Sequence, residues 1–577
     1  MKKKLVAVIL SVVMLFSVTA VPASAIDFES TDSTITVILA RAIEWVFGAL
    51  VQGLGSVMSE NDAFKDAEDY VYDNFYEGTG EFIDSAAEDA QWSLGSASLS
   101  LVPENWQDYD LYLGGFMSEQ NLFTNDVREI LDDMKVRVIA MDDGSGRGTT
   151  VFATIDAIGV ANSDVRVIRG MLSDFAEANN LSSINLFSTH SHSCIDTQGL
   201  WTNLFGKVPF NLVSSIAGVF ELQQGTDPEY MAFFYEKVKT AIEMAVEDME
   251  EGTMTFASKD IGEEYFNNKN RPSADSMNTD LKRFIFTPDD AASKGTVILN
   301  MAAHPDTVGL ATESDPTKGH GLSGDYVYYI GEVINNAGYD FMFFNGAICG
   351  IYNGGVDVDW DLRVDAAANY GREIGKMTLG LTMSEEEIKA DDYLMSLNFT
   401  AEQIGESAYT PWYEGWTQAE ETEVEPILNV AIRPVEVELT NPVMQVAGKL
   451  GIFSYQVKKS EGKYYMTTEI GYIEMGKDLK IAMVPGELCA DLVYGGSSLT
   501  AKGSVDGKDF PGKTLCEIFG DDLIVFGLAN DACGYIVPDN DYCLALAFGH
   551  YQELISLGDK TASTLMAAFE ELAAEVA

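Results

Sequence analysis

A β-α-β order between residues 135 and 190 is the feature that most constrains the fold of this chain. Two β-rich runs, KVRVIAM and TTVFATIDA, flank the glycine-rich turn DDGSGRG, and a helical segment then leads to the apolar run INLFST. A right-handed crossover makes the two strands around that helix parallel, and open α/β sheets bind ligands at the carboxyl ends of their strands. Asp156 and His190 follow such ends. Four apolar side chains share one side of the helical segment: Val167, Met171, Phe175 and Ala178.

Other apolar runs along the chain also end in polar residues. The run TVILNMAA ends at His304, and YDFMFF ends at Asn345. LKIAMV leads to Glu487, and DLIVFGLAN leads into the loop that holds Tyr535. The sequence therefore predicts an α/β protein with a mixed β-sheet core, flanking helices and a site at the carboxyl ends of strands.

Two segments are expected to precede this core. Residues 1–25 combine three lysines, an apolar run and a small-residue ending, which is the pattern of a secretory signal peptide. We therefore expect a secreted, extracellular protein, with association at the cell surface as an alternative. Residues 26–105 are expected to form an N-terminal helical extension, and residues 106–577 the main domain. No later segment offers the roughly 20 uninterrupted apolar residues of a membrane span.

Within this extension, a helix is predicted near residues 33–57, where almost every position outside one narrow stripe is apolar. Such a helix needs cover from the main domain, from another subunit through self-association, or from lipid. The pattern alone does not choose between these three. The polar stripe consists of Arg41, Glu44, Gly48 and Gln52.

The composition excludes some classes of partner and site. The chain has 90 acidic and 36 basic residues and a formal net charge of −54, so broad binding to nucleic acid or to anionic membranes is not expected. Its six cysteines include no CxxC pair. This argues against a structural zinc knuckle and a dense disulfide framework, and leaves one or two disulfides open.

Two of the five histidines lie in the stretch FSTHSHSC, residues 187–194. In an extended segment His190 and His192 project to one face, because side chains alternate along a strand. That spacing suits two ligands of one metal ion, or one ligand beside a proton carrier; loop or capping roles are the alternative. A catalytic zinc ion takes about three protein ligands and a water molecule. His190, His304 and Glu487 could supply that set.

Several ordered segments carry a resemblance to a known family. The chain resembles the catalytic domain of the neutral (non-lysosomal) ceramidases, in a short, bacterial-type form, over roughly residues 106–577. Supporting segments are VRVIAMDDGSGRGTTVFATIDAIGV, the Asn270-Arg271-Pro272 stretch and LSGDY. The four main segments are THSHS at 189–193, AAHPDT at 302–307, VPGEL at 484–488 and GLANDACGY at 527–535.

The resemblance implies a zinc ion held by His190, His304, Glu487 and Tyr535, with His192 as a neighbour that hydrogen-bonds or transfers protons. The implied reaction is hydrolysis of the N-acyl bond of ceramide, or of a related N-acyl lipid, to a fatty acid and an amine. Zinc would supply an activated water molecule and a polarised carbonyl. Tyr535 would stabilise the oxyanion, and His192 would protonate the leaving amine.

Two segments depart from the family pattern. Residues 194–197 read Cys-Ile-Asp-Thr where the family has Gly-Pro-Gly-Gly, near the expected entry of substrate. Asp196 is therefore a candidate substrate-binding residue, as is Arg271 in the matching Asn-Arg-Pro stretch. GAICGIY places Cys349 where the family has a serine near the reaction centre. Cys349 is either a catalytic contact or buried apolar filler.

The sequence also allows other interpretations. Glu487 could cap a helix, and Tyr535 could be an ordinary core residue. A non-catalytic extracellular protein that binds lipid or metal on the same scaffold is the main alternative to an enzyme. An amidohydrolase barrel ranks last, because it would need further histidines and an eightfold β/α rhythm that the sequence lacks.

Overall fold

A computed structural model describes residues 34–115, 125–218, 220–269, 271, 273–309, 320–358, 363–453, 455–544 and 550–577. The predicted signal peptide, residues 1–25, lies outside these ranges and stays a prediction. Among the described helices, none has the length and apolar character needed to cross a membrane.

The strands of these ranges follow one another along almost the whole described chain. In chain order they are β1 (Phe64–Asp66), β2 (Trp92–Ser100), β3 (Glu129–Ile130), β4 (Lys135–Asp142), β5 (Thr149–Ile155), β6 (Leu181–Ser188), β7 (Glu250–Asp260), β8 (Phe266–Asn268), β9 (Asp280–Pro288), β10 (Thr296–Met301), β11 (Gly321–Leu322), β12 (Asp340–Asn345), β13 (Ile351–Asn353), β14 (Glu421–Glu423), β15 (Leu428–Glu438), β16 (Val457–Ser460), β17 (Lys463–Met475), β18 (Leu479–Met483), β19 (Glu487–Leu488), β20 (Ile524–Phe526) and β21 (Tyr535–Ile536).

The α-helices lie before, between and after these strands. They are Thr34–Gly55, Asn162–Met171, Ser173–Ala178, Leu204–Ala217, Pro228–Glu247, Asp325–Asn336, Arg363–Gly380, Glu385–Ala390, Asp392–Ser396, Ala401–Ile404, Pro442–Leu450, Asp491–Tyr494, Leu515–Phe519 and Thr561–Val576.

Two large sheets organise the described part of the chain. The larger sheet has the strand order β12-β10-β9-β7-β2-β4-β5-β6, with β14 beside β7. The smaller sheet has the order β1-β16-β17-β18-β20, with β15 beside β17. Parallel pairs, such as β5 with β6 and β10 with β12, occur beside antiparallel pairs such as β4 with β5. The predicted mixed sheet is therefore confirmed.

The β-α-β unit read from the sequence is present. β5 and β6 are parallel, with Val151 opposite Ile184, and the helix Asn162–Met171 connects them. The apolar runs that were predicted to be strands are buried along most of their length because both faces of the larger sheet are covered.

The two sheets pack face to face, and helices cover their outer faces. Between the sheets, the rings of Phe344 and Phe526 stack with centroids 4.0 Å apart. The helices Asn162–Met171 and Pro228–Glu247 cover one part of the larger sheet, and Thr561–Val576 packs on the smaller one. Each large apolar side chain buried in these layers contributes about 1.5–3 kcal/mol to folding.

The prediction for residues 26–105 is wrong beyond Gly55. The helix Thr34–Gly55 is present, but β2 follows and lies inside the larger sheet, between β7 and β4. A Cβ on Gly95 would come within 2.1 Å of the Ala245 carbonyl oxygen, so the helix Pro228–Glu247 packs against this strand at a distance that requires glycine. The small residues of WSLGSASLS give a weak strand signal, which is why the sequence did not reveal this strand.

The carboxyl ends of strands from both sheets meet at one place. β6 and β10 of the larger sheet end just before His190 and His304. β18 and β20 of the smaller sheet lead to Glu487 and Tyr535. A β-bridge between Phe187 and Ala529 joins the end of β6 to the segment after β20, so the two sheets are connected where these side chains converge.

Candidate metal centre

His190 follows β6 in a backbone conformation that few residues adopt. Its φ is 67°, in the left-handed region, and Leu528 and Asn530 in the facing segment also have positive φ values of 50° and 55°. Such conformations cost on the order of 1–3 kcal/mol each and cluster at functional sites. The His190 Nδ1 atom lies 2.6 Å from the carbonyl oxygen of Ile158.

His304 is held in a similar way after β10. Its Nδ1 atom lies 2.8 Å from the carbonyl oxygen of Ile351, and its ring stacks on Tyr352 with centroids 4.7 Å apart. A carbonyl oxygen can only accept a hydrogen bond, so Nδ1 carries the hydrogen in both His190 and His304. In the neutral form of each ring, Nε2 therefore presents a lone pair.

Glu487 faces both of these Nε2 atoms. Its Oε2 atom lies 3.1 Å from His304 Nε2 and 3.3 Å from His190 Nε2, and all three side chains are buried. Burial by itself would raise the pKa of Glu487. The two imidazoles, His190 foremost, outweigh that effect and hold its pKa well below the usual range.

This donor set fits a metal ion. A carboxylate oxygen and two imidazole lone pairs all accept, so their close approach needs a proton or a cation between them. Two ligands of one tetrahedral zinc ion, each about 2.0–2.2 Å from it, lie about 3.3 Å apart. The observed separations of 3.1 and 3.3 Å between Glu487 and the two rings match that spacing.

His192 is close enough to belong to the same group. The candidate ligand atoms of His190, His192 and His304 all lie within 4.8 Å of one another. Burial lowers the pKa of His192 well below its ordinary value, and His190 and His304 lower it further. Gly115, with φ of 108°, packs so closely that a Cβ there would come within 2.5 Å of His192 Cγ. The structure thus offers His192 as a ligand or as a neighbouring proton carrier.

Tyr535 lies beside Glu487 through a short parallel strand pair. β19 and β21 place Glu487 directly opposite Tyr535. Burial, with the neighbouring Glu487 carboxylate as the second cause, raises the pKa of Tyr535 well above its ordinary value, so the phenol keeps its proton. Its ring meets Tyr551 edge-on at 6.1 Å, and the hydroxyl groups of Tyr551 and Tyr352 lie 3.1 Å apart.

A cavity of about 260 Å³ opens onto these residues. Its polar lining includes His190, His192, Glu487 and Tyr535, so the predicted metal ligands other than His304 lie on its wall together with His192. The rest of the wall is largely apolar, as expected for a site that takes a hydrophobic ligand. Its apolar members include Leu200, Trp201, Met444, Leu554 and Leu557.

Asp196 and Arg271 are engaged by the protein's own groups. The Asp196 carboxylate accepts hydrogen bonds from the backbone N–H groups of Gln198, Gly199 and Trp201, and burial raises its pKa to about 6. Arg271 forms buried ion pairs with two carboxylates of the chain. Neither is among the described residues that line the cavity. Asp196 positions the loop that carries Gln198 and Trp201, and these two residues line the cavity. The substrate-binding role of Asp196 and Arg271 stays a prediction.

Cys349 lies behind the centre and not on the cavity wall. Its side chain is buried against Cys489, two residues after Glu487, and burial raises the pKa of the Cys349 thiol well above its ordinary value. Cys349 also donates its backbone N–H to the carbonyl oxygen of Leu488. This environment is that of a neutral, packed thiol. All six cysteines of the chain are free.

Some residues of the site were not found from the sequence. Tyr352, Tyr551 and Gln198 have no motif that distinguishes them from other residues of their type. Asp156 and Asp325, which follow strand ends, serve the scaffold: Asp156 pairs with Arg137 at 2.7 Å, and Asp325 accepts the Val308 N–H at 2.8 Å.

Comparison with solved structures identifies proteins of similar fold. The chain has an α/β fold of two packed sheets with a histidine cluster at their strand ends, and that fold is similar to a neutral ceramidase from Pseudomonas aeruginosa. The TM-score is 0.53 at 13% identity, over 84% of this chain and 74% of that chain. A ceramidase solved in complex with C2 gives a TM-score of 0.52 at 12% identity, over 84% and 75%. No protein-family model and no curated protein matches the sequence. The chain therefore has a neutral ceramidase-like fold.

Proposed function

We propose that this chain is a zinc-dependent amidase that hydrolyses the N-acyl bond of ceramide or of a related N-acyl lipid. The observation that carries the proposal is the approach of Glu487 to the Nε2 atoms of His190 and His304 at the end of a largely apolar cavity. The similarity of the fold to ceramidases supports the choice of an amide bond. The pattern of residues 1–25 supports export, which we propose as well.

His190, His304 and Glu487 would hold the zinc ion, with Tyr535 or His192 as a further ligand. When bound, zinc supplies an activated water molecule and a polarised carbonyl. Zinc is proposed over harder cations because imidazole nitrogen dominates the donor set.

The remaining roles fall to the residues around the ligands. The apolar wall, with Leu200, Trp201 and Met444, would bind the acyl chain and exclude water from it. The Tyr535 phenol, which stays protonated, would donate a hydrogen bond to the oxygen that becomes negative as the carbonyl is attacked. The His192 imidazole would take a proton from the attacking water and pass it to the amine nitrogen as the C–N bond breaks.

One experiment tests the whole proposal. The purified protein is analysed for metal, and fatty acids released from a mixture of N-acyl lipids are detected by mass spectrometry. We expect about one zinc ion per chain and release that a chelator abolishes and added zinc restores. Absence of both metal and hydrolysis would overturn the proposal.

A non-catalytic binding protein on the same scaffold is the second candidate. It is favoured by Cys349, whose buried thiol occupies the position where the resembling family has a serine. Metal or lipid binding without release of fatty acid would support this alternative.

A further inference from the structure

The helix Thr34–Gly55 turns its charged residues towards the protein. Arg41 Nη1 donates to the carbonyl oxygen of Tyr542 at 3.0 Å and to Glu44 at 2.6 Å. Arg41 also pairs with Asp506, and Glu44 accepts the backbone N–H of Leu544 at 2.9 Å. The charges on this helix are therefore matched by partners within the chain.

The inner apolar side of the same helix packs next to the cavity wall. Phe47 and Val51 are buried in one cluster with Met444 of the helix Pro442–Leu450, and Met444 also lines the cavity. The main domain thus covers the inner side of this helix. Cover by the main domain was one of the three predicted alternatives. The helix Pro442–Leu450 lies between the helix Thr34–Gly55 and the cavity.

The opposite side of the helix is apolar and exposed to solvent. Trp45 is 74% exposed, the largest value among the exposed large apolar residues of the described ranges. Within 38–57, the exposed positions carry no charged side chain. We call this surface the outer face; its large residues are Ile38 (63%), Ile43 (37%), Trp45, Val46 (50%), Leu50 (43%) and Val57 (40%).

A second helix with exposed apolar residues lies near the end of this one. The backbone N–H of Ser59 donates to the carbonyl oxygen of Ser215, at the end of the helix Leu204–Ala217. Val213 of that helix is 48% exposed, and Phe220, which follows the helix, is 60% exposed. Apolar surface of this kind, gathered on one side of a protein, marks an interaction site.

We propose that the outer face docks on the surface of an electrically neutral lipid bilayer, such as one of phosphatidylcholine. An exposed tryptophan on an uncharged helical face suits the boundary between lipid headgroups and acyl chains. The formal net charge of −54 opposes both anionic lipid and a second copy of the chain, whereas neutral lipid carries no such penalty. Docking would hold the cavity near the bilayer, and it does not depend on whether the cavity hydrolyses its ligand.

Vesicle binding tests this proposal directly. The protein, with its N-terminus determined by mass spectrometry, is floated with phosphatidylcholine vesicles, and so is the double variant Trp45→Gln/Val46→Gln. We expect the parent to float. The variant should bind the vesicles at least about tenfold more weakly, because two large apolar side chains no longer enter the lipid. Val71→Gln is the matched control, since Val71 is 63% exposed but lies beside Arg166, on another surface.

Two further measurements test whether apolar contact with lipid, and not charge, causes the binding. Binding should change little between roughly 0.05 and 0.5 M salt, because the outer face is uncharged. Bromine-labelled lipid should quench the tryptophan fluorescence of the parent, and Trp45→Phe should bind normally with much of that quenching lost. Circular dichroism and metal content check that each variant is folded.

Several outcomes would overturn the proposal. They are a parent that does not float, a double variant that floats as well as the parent, and equal weakening by Val71→Gln. A concentration-dependent dimer that the double variant abolishes, without any lipid binding, would assign the outer face to a second copy. Hydrolysis can be present or absent in each case, so failure of docking and failure of the proposed function are read separately.

Discussion

Two buried groups of ionisable side chains in this molecule differ in how their charges are balanced. In the arginine cluster, Arg271 Nε lies 2.8 Å from Asp541 Oδ2, and Arg271 Nη2 lies 2.8 Å from Glu553 Oε1. Burial would raise the pKa of Glu553, but Arg271, followed by His550, lowers it to about 2. A fixed cation of the protein thus holds the carboxylates in their ionised form.

In the histidine centre, imidazoles take the place of the guanidinium group. Glu487 faces two imidazole nitrogens whose hydrogens are committed elsewhere, to the carbonyl oxygens of Ile158 and Ile351. A buried carboxylate in this setting needs either a further proton on an imidazole or a bound cation to balance its charge. We therefore expect the arginine cluster to be structural, whereas the histidine centre is compatible with a bound ion. Four predictions test this difference, from the largest expected effect to the smallest.

Removal of a proposed ligand should break the histidine centre. We expect His304→Ala and Glu487→Ala to lose both bound metal and activity, with turnover reduced by more than about a thousandfold. Metal analysis and fatty-acid release measure the two effects. His320→Ala is the matched control, because His320 is also buried but bonds to the carbonyl oxygen of Asp126. Full metal content in Glu487→Ala would contradict the ligand assignment.

Removal of His192 should separate metal binding from proton transfer. We expect His192→Ala to retain its metal and to lose about 10²–10⁴-fold in turnover, the usual contribution of a general acid or base. Metal loss equal to that in His304→Ala would instead make His192 a ligand. Turnover at the parent rate would exclude both roles.

Removal of Arg271 should affect the fold and leave metal binding unchanged. Arg271→Met leaves two buried carboxylates without their cation, so we expect unfolding free energy to fall by about 3–5 kcal/mol. Urea denaturation measures this, and metal content per folded chain should not change. Lys477→Met removes an exposed ion pair with Glu425 and should cost less than about 1 kcal/mol. Metal loss in folded Arg271→Met would show that the two groups are coupled.

Removal of the Cys349 thiol should have the smallest effect. Because the thiol is packed behind the cavity, we expect Cys349→Ala to lower the unfolding free energy by about 1 kcal/mol. Turnover should change less than about tenfold, below the contribution of a general acid or base. Cys489→Ala, which removes the neighbouring buried thiol, is the control. A hundredfold loss confined to Cys349→Ala would restore Cys349 as a catalytic contact.

Local pattern predicted much of the scaffold. The runs KVRVIAM, TTVFATIDA and INLFST became strands β4, β5 and β6, because continuous apolar runs between turn residues suit a sheet covered on both faces. β2 was missed, because its small residues are selected by the close approach of a helix from elsewhere in the chain. The sequence also could not show that the helix Thr34–Gly55 turns its charged side towards the protein and part of its apolar side towards solvent. The distant partners of Arg41 and Glu44 lie more than 400 residues away along the chain.

The sequence by itself determined which residue types end the apolar runs, and hence that His190, His304 and Glu487 each follow the carboxyl end of a strand. Only the tertiary structure decided that strands of two different sheets bring the Glu487 carboxylate within 3.1–3.3 Å of both imidazoles. It also decided that Asp196 and Arg271 turn to partners within the protein. The physical reason is that strand periodicity is a local property, whereas the distance between side chains on separate sheets depends on how the whole core packs.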